Sequence, residues 1–363
     1  MTHLNELYLI LNKYLKWNKS HLKCFALIML VIILKQTCNL SSASKALPIK
    51  CLPQSFYRRM QRFFAGQYFD YRQISQLIFN MFSFDQVQLT LDRTNWKWGK
   101  RNINILMLAI VYRGIAIPIL WTLLNKRGNS DTKERIALIQ RFIAIFGKDR
   151  IVNVFADREF IGEQWFTWLI EQDINFCIRV KKTFIVTNHL GKNHKISDLF
   201  RHLKVGQIEC RKRRILVGRV KLYISALQLE NGELLLVVSP QFNANAIQDN
   251  ALRWEIETLF SCLKGRGFNL ENTRLTDPRR VKKLIAVLAI SFCWCYLTGE
   301  WQHDQKKAIK IKKHGRLSMS LFRYGLDYVQ MAIQRLIGFG KKEEFKEILA
   351  ILRRQNPDRI RVL

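Results

Sequence analysis

The run Ile151-Val-Asn-Val-Phe-Ala156 is mostly β-branched and aromatic, carries no helical spacing, and ends at the carboxylate of Asp157. Such a run suits a strand covered on both faces, so the rest of the chain has to supply neighbouring strands and helices for either side. In open α/β sheets the ends of strands face a crevice instead of the core, which makes a carboxylate there available for chemistry. The other reading is a loop aspartate that caps the next helix. Further acids along the chain bear on the choice.

Val87-Gln88-Leu89-Thr90-Leu91-Asp92 alternates apolar and polar residues, which predicts a strand with Gln88, Thr90 and Asp92 on one face. Two long apolar strands follow, Ile103 to Tyr112 and Ile115 to Leu123, joined by a tight turn at Arg113-Gly114. Gly128 to Thr132 opens a helix that ends near Gly147. After the Asp157 strand come a helix over Trp165 to Gln172 and a strand over Ile174 to Val180. The pattern gives a mixed α/β sheet. Its order resembles the ribonuclease H-like fold, and that resemblance implies that the first and fourth strands are neighbours, each carrying a metal-binding aspartate.

At 363 residues the chain has room for several domains, and 48% hydrophobic residues exclude a disordered chain. Lys and Arg number 60 against 28 Asp and Glu, a net charge of +32 that points to a polyanion such as nucleic acid. Anionic membrane is the rival partner. The longest apolar runs, Phe25 to Leu34 and Leu284 to Leu297, fall short of the roughly 20 residues of a spanning helix, so they are expected as buried helices, with no membrane partner. The start lacks the layout of a secretion signal, which places the protein in the cytoplasm, associated with the nucleoid if it binds DNA. Eight cysteines lie scattered without CxxC pairs, so neither zinc nor a disulfide framework is expected.

Residues 1–80 read as helical, with Leu7, Tyr8, Leu11 and Leu15 at helical spacing. A short helix over Asn39 to Leu47, a turn over Pro48 to Pro53 and a basic helix with Arg58, Arg59 and Arg62 have the outline of a helix-turn-helix DNA reader; a three-helix bundle with a solvated basic face has it equally. Residues 181–247, with β-branched runs and the basic Arg211-Lys212-Arg213-Arg214, are expected as an inserted β subdomain between catalytic segments 81–180 and 248–300. Residues 301–363 are expected as a basic connector followed by helices.

Asn250 to Lys264 reads as one helix. At about 100° per residue, Asn250, Arg253, Glu257 and Lys264 share a stripe about 60° wide, beside an apolar stripe of Leu252, Ile256, Leu259 and Leu263. Arg253, Glu257 and Lys264, at those spacings, resemble the Tyr-Arg-Glu-Lys signature of DDE transposases of insertion-sequence family four. Leu91-Asp92-Arg93-Thr94 and Ala156-Asp157-Arg158-Glu159-Phe160 are similar to that family's two aspartate strands. Gly267-Phe268-Asn269 and Lys313-His314-Gly315-Arg316 also match, so the resemblance spans roughly residues 85 to 330. At the position of the signature tyrosine this chain has Asn250, which cannot stack or offer a phenol.

The resemblance implies catalysis by Asp92, Asp157 and Glu257 holding two Mg²⁺ or Mn²⁺ ions. Three carboxylates suit that task, because two hard divalent ions about 3.5 to 4 Å apart can activate water and stabilise the leaving oxygen of a phosphodiester. It further implies a homodimer on double-stranded DNA, both terminal inverted repeats and target, that frees a 3′-hydroxyl, passes through a hairpin and joins the end to the target. Arg253 and Lys264 would hold phosphates. Trp254 is open to base stacking or to a core role, as is Trp165, and Arg158 and Glu159 to orienting Asp157 or forming a salt bridge. A structure-selective nuclease and a catalytically inactive DNA-binding relic are the alternatives.

Overall fold

The computed structural model describes residues 2–46, 52–187 and 191–353. Asparagine and aspartate caps fix where the first helices begin. Asn18 accepts from Ser20 N at the start of α2 (Lys19–Lys35), which follows α1 (Thr2–Tyr14). Asn39 accepts from Ser41 N and Ser42 N at α3 (Leu40–Ala43). Pro53 opens α4 (Pro53–Gly66), and Asp70 caps α5 (Tyr71–Met81). The first helix of the expected helix-turn-helix is thus a single turn, and most of its turn lies outside the described residues. Arg58, Arg59 and Arg62 line the exposed face of α4.

The chain divides into two units. The first takes residues up to Phe84, Trp96–Ile103 and Phe260 onwards; the second takes Asp85–Asn95 and Asn104–Leu259.

The second unit is built on the sheet. Its strands are β1 (Val87–Trp98), β2 (Arg101–Tyr112), β3 (Ile115–Leu123), β4 (Ile151–Ala156), β5 (Phe176–Val180), β6 (Ile185–Thr187), β7 (Asn193–Lys195), β8 (Ile208–Cys210), β9 (Ile215–Val217), β10 (Val220–Gln228) and β11 (Leu234–Ser239). Arg113 and Gly114 both take positive φ, 47° and 84°, the backbone of a tight hairpin turn that matches strand twist between β2 and β3. The order is β3-β2-β1-β4-β5-β11-β10-β9-β6-β7, with β8 paired to β10. The first five positions follow the order of a ribonuclease H-like sheet, with β1 and β4 parallel neighbours. β4 and β5 are also parallel, while β2 with β3, β5 with β11 and β10 with β11 are antiparallel.

Helices α6 (Thr132–Phe146), opened by the Asp131/Glu134 capping box, and α7 (Glu163–Glu171) fall between the strands. Phe142, Trp165 and Phe166 of these helices are buried, so Trp165 is a core residue. The segment expected as an inserted subdomain continues the sheet instead, since β11 pairs with β5. Its hydrophobic strand Leu234–Ser239 has an open edge to add to, which composition does not reveal.

The expected single helix over 250–264 is also corrected. Two helices, α8 (Ala246–Ala251) and α9 (Glu255–Leu263), flank a 3-10 turn at Leu252–Trp254. Ile256, Leu259 and Leu263 of its predicted apolar stripe are buried.

The first unit is helical apart from residues 96–103. It holds the N-terminal helices together with α10 (Pro278–Gln305), α11 (Leu321–Phe339) and α12 (Glu343–Arg353). α10 exceeds the apolar run seen in the sequence and is long and apolar enough to cross a bilayer, but its apolar stretch is buried in the protein. It lies against α11 where two glycines meet. A Cβ on Gly299 would stand 1.9 Å from Leu321 O, and one on Gly325 only 1.8 Å from Cys295 O. Backbone oxygens cannot swing aside, so the helices approach this closely only because both positions lack a side chain. Gly325→Ala is therefore expected to cost at least about 2 kcal/mol, read as a lower melting temperature in thermal denaturation, while Gly338→Ala, in open space on the same helix, costs far less.

Candidate active site

Two aspartates leave the sheet together. Leu91 of β1 stands opposite Ala156 of β4 in the parallel pair, so the next residues, Asp92 and Asp157, emerge side by side. Leu89 and Leu91 bury one face of β1, and Thr90 on the other face is buried as well. The polar face therefore leads directly to Asp92.

The Asp92 carboxylate accepts from Arg93 N at 2.7 Å. Burial pushes its pKa up to about 7; that hydrogen bond and the nearby Arg253 pull the other way, while Glu159 and Asp157 add to the rise. One oxygen of Asp157, Oδ1, is buried without a hydrogen bond. The nearest cation to it is Arg253, whose Nη2 lies 3.8 Å away.

Arg253 itself is only 4% exposed. Its Nη1 donates to Glu257 Oε1 at 3.2 Å, and its guanidinium lies 4.3 Å from the centre of the Trp254 ring. One buried guanidinium thus spans Asp157 and Glu257, and Trp254, half exposed, covers it. The 3-10 turn is what allows this: it lets Arg253 turn inward while Trp254 faces out.

A second layer of contacts holds the loops. Arg93 grips Glu159 with two bonds, Nε to Oε1 at 2.8 Å and Nη2 to Oε2 at 2.9 Å, and also donates to Asn104 Oδ1 and Asn129 Oδ1. Asn104 in turn donates to the carbonyls of Lys126 and Gly128. The buried Arg135 donates to the carbonyls of Ser130, Glu159 and Ile161 and packs on the Phe160 ring, fixing the loop that follows Asp157. Arg158 points elsewhere, toward Glu233 at 3.5 Å on the exposed side.

Asn250 does not face the acids. Its side-chain amide is buried and donates to Ala156 O at 3.3 Å and Cys177 O at 2.9 Å, tying the ends of β4 and β5 together. Glu255, one residue after the turn, accepts from Tyr112 N and Gly114 N and so caps the β2–β3 hairpin. Lys264 belongs to the first unit, where it pairs with Glu271 at 2.7 Å.

The donors present are oxygen-only, which suits a hard divalent ion such as Mg²⁺. Asp157 Oδ1, buried and short of a hydrogen bond, and Asp92, raised by burial, both gain from a nearby cation. No three ligand side chains gather at one point among the described residues, however. Asp92 and Asp157 are neighbours, and Glu257 is held by Arg253 through Oε1.

Sequence reasoning missed Arg93, Asn104, Arg135 and Glu255. Arg93 and Glu159 had a signal: they follow the two aspartates at offsets of one and two residues, with opposite charge. Arg135 had none, because its partners lie on the loop just before its helix and on the loop after Asp157, and helical spacing marks neither.

The chain matches the transposase DDE domain over residues 83–294 and belongs to that family, whose members generally use divalent metal ions. Among solved structures it is similar to a piggyBac transposase synaptic complex with hairpin DNA, determined by cryo-EM, at 12% identity and a TM-score of 0.46, covering 98% of this chain and 84% of that one. No curated protein matches it in sequence.

The Asp92 shift has a sign that can be checked. Its folded value of about 7 lies above the ordinary 3.8, so stability is fully present below the lower value and is lost as pH rises through the upper one. Asp92→Asn removes that loss. In the metal-free protein it should raise the melting temperature most near about pH 8, with the gain shrinking toward about pH 4; a pH-independent gain would mean that burial of the charge is not the cause.

Proposed function

We propose that this chain is the transposase of a bacterial insertion sequence of family four, acting on DNA in the cytoplasm. It binds the element's terminal inverted repeats as a homodimer, cuts the DNA, forms and reopens a hairpin, and joins the freed 3′-end to target DNA. The observation that supports this most is the pair Asp92 and Asp157 side by side, with one guanidinium linking Asp157 to Glu257. In the domain plan, 81–180 and 248–300 carry the chemistry, 1–80 and 301–363 bind and position DNA, and 181–247 extends the catalytic sheet.

In this mechanism Asp92, Asp157 and Glu257 would hold divalent ions, Mg²⁺ or Mn²⁺, two of them in the complete site. When bound, the ions lower the pKa of water and neutralise charge on the scissile phosphate. Arg253 supplies a rigid two-pronged donor that can exchange a carboxylate for a phosphate. Released from Glu257, it stays beside Asp157 and turns its free edge to the DNA backbone. Trp254 is exposed and offers a ring for an unpaired base. Arg58, Arg59 and Arg62 on α4, with Arg158 and Lys264, add charge for the duplex backbone. Asn250, buried in contact with β4 and β5, takes no part in DNA contact, unlike the signature tyrosine.

One observation favours a second reading, a DNA-binding relic: Glu257 is occupied by Arg253, and no three-ligand cluster forms among the described residues. Chemistry decides between them. With Mg²⁺, the purified protein is expected to nick its own terminal repeat and to join a pre-cut end to target DNA. Asp157→Asn should abolish both and leave repeat binding within a few-fold. A wild-type protein that cuts without joining is a nuclease, and one that only binds is a relic.

A further inference from the structure

The first unit contains a cleft that uses none of the three acids. It lies between the C-terminal end of α4 and the first turns of α10 and has a volume of about 460 Å³, within the roughly 300–1,000 Å³ of sites for nucleotide-sized ligands. We propose that this cleft binds unpaired DNA, its cations taking phosphates and Tyr68 taking a base, an assignment that rests on the DNA-handling part of the reading above.

The cleft is basic for a structural reason. Asp277 caps α10 by accepting from Arg279 N and Arg280 N, so it occupies the helix's first free amides and leaves binding to the side chains. Those side chains are Arg279, Arg280, Lys282 and Lys283, four of the first six residues of α10. Asp277 is the only acid lining the cleft, and its carboxylate reaches Arg279 at 3.3 Å. Arg280 has no carboxylate partner among the described residues. Lys282 is poised over the Tyr71 ring at 4.4 Å. Lys283 donates to Phe64 O at 3.0 Å and lies over Phe69, stitching the two walls together. Four cations therefore line an opening with one acid among its described lining residues, an excess of positive charge that favours a polyanion.

The aromatic residues decide which form of DNA. Phe64 and Phe69 are buried in the wall, but Tyr68 between them in the chain is 79% exposed. Its main chain is held, since Gln67 Nε2 donates to Tyr68 O at 2.7 Å, while its ring stands free at the rim. An exposed ring costs solvation and gains nothing against a duplex, whose bases are already stacked. Against a single strand it offers a stacking platform beside the phosphate-binding cations, the combination by which such strands are held.

The test uses the full-length protein without divalent metal, so that catalysis plays no part. Fluorescence anisotropy compares a short oligothymidine with a duplex of the same length. Tyr68→Ala should weaken oligothymidine binding about fivefold or more, and Tyr68→Phe, which keeps the ring, should leave it within about twofold. Arg280→Glu should weaken it about tenfold and flatten its dependence on salt. Duplex binding should change less than about twofold in the two tyrosine variants. Tyr68 is on the surface, so loss of fold does not explain a loss of affinity, and the tyrosine-to-phenylalanine variant checks this directly. Wild-type protein that does not bind oligothymidine, a Tyr68→Ala variant that binds it unchanged, or an equal loss on duplex would each overturn the assignment. A protein that joins DNA ends normally but shows one of those results refutes the cleft alone. One that never cuts its repeat yet shows the expected losses refutes the transposase reading alone.

Discussion

The parallel pairing of β1 with β4 is the contact on which the rest of the site depends. Main-chain hydrogen bonds set Leu91 against Ala156, and the period of two along each strand then leaves no freedom over where Asp92 and Asp157 appear. A slip of one residue would turn Asp92 into the apolar face now filled by Leu89 and Leu91. Several of the other contacts protect that register from its ends. Asn250 ties β4 to β5 directly before Asp157, Arg135 fixes the loop directly after it, and Arg93 ties the residue after Asp92 to the loop that carries Glu159.

Placing two carboxylates together in partly buried surroundings is costly, and the site meets the cost in two ways. Asp92 is held toward its neutral form by burial, and Asp157 shares a guanidinium with Glu257. An arginine is the only side chain that can do this at every accessible pH, because it does not lose its proton. Under the proposed function the two devices are linked, since a divalent cation would compete with the proton on the first and with the guanidinium on the second. The surrounding excess of positive charge favours that exchange only when DNA arrives to take up the freed arginine. Ion and substrate would then bind more tightly together than apart.

The sheet was legible because its signals are local. Alternation in 87–92, the tight turn at Arg113-Gly114 and the β-branched run before Asp157 each state their own structure, and β1 to β5 lie where those signals place them. What could not be read depended on distant partners. The helix over 250–264 has no proline or glycine to announce a break, and its 3-10 turn exists because Arg253 turns inward to acids that are distant in sequence. The segment 181–247 reads as separate because its β-branched runs are interspersed with basic residues such as Arg211 to Arg214; only the pairing of β11 with β5 shows that β11 belongs to the same sheet. Arg135 reads as one more charge on an amphipathic helix, and its burial follows from carbonyls that two loops bring to it.

Position 250 shows what a short amide can do beside the acids without touching them. A tyrosine there would offer a single hydroxyl donor at the end of a rigid ring, which cannot serve two carbonyls on adjacent strands. An asparagine amide carries two N–H groups on a short side chain and reaches both. Ala156 is the last residue of β4 and Cys177 lies within β5, so the one amide links two adjacent strands. Asn250 is therefore an internal contact that stiffens the strand end bearing Asp157. Under the proposed function the charge and the ring for DNA would come from the neighbouring turn, the charge from Arg253 and the ring from the half-exposed Trp254 that covers it.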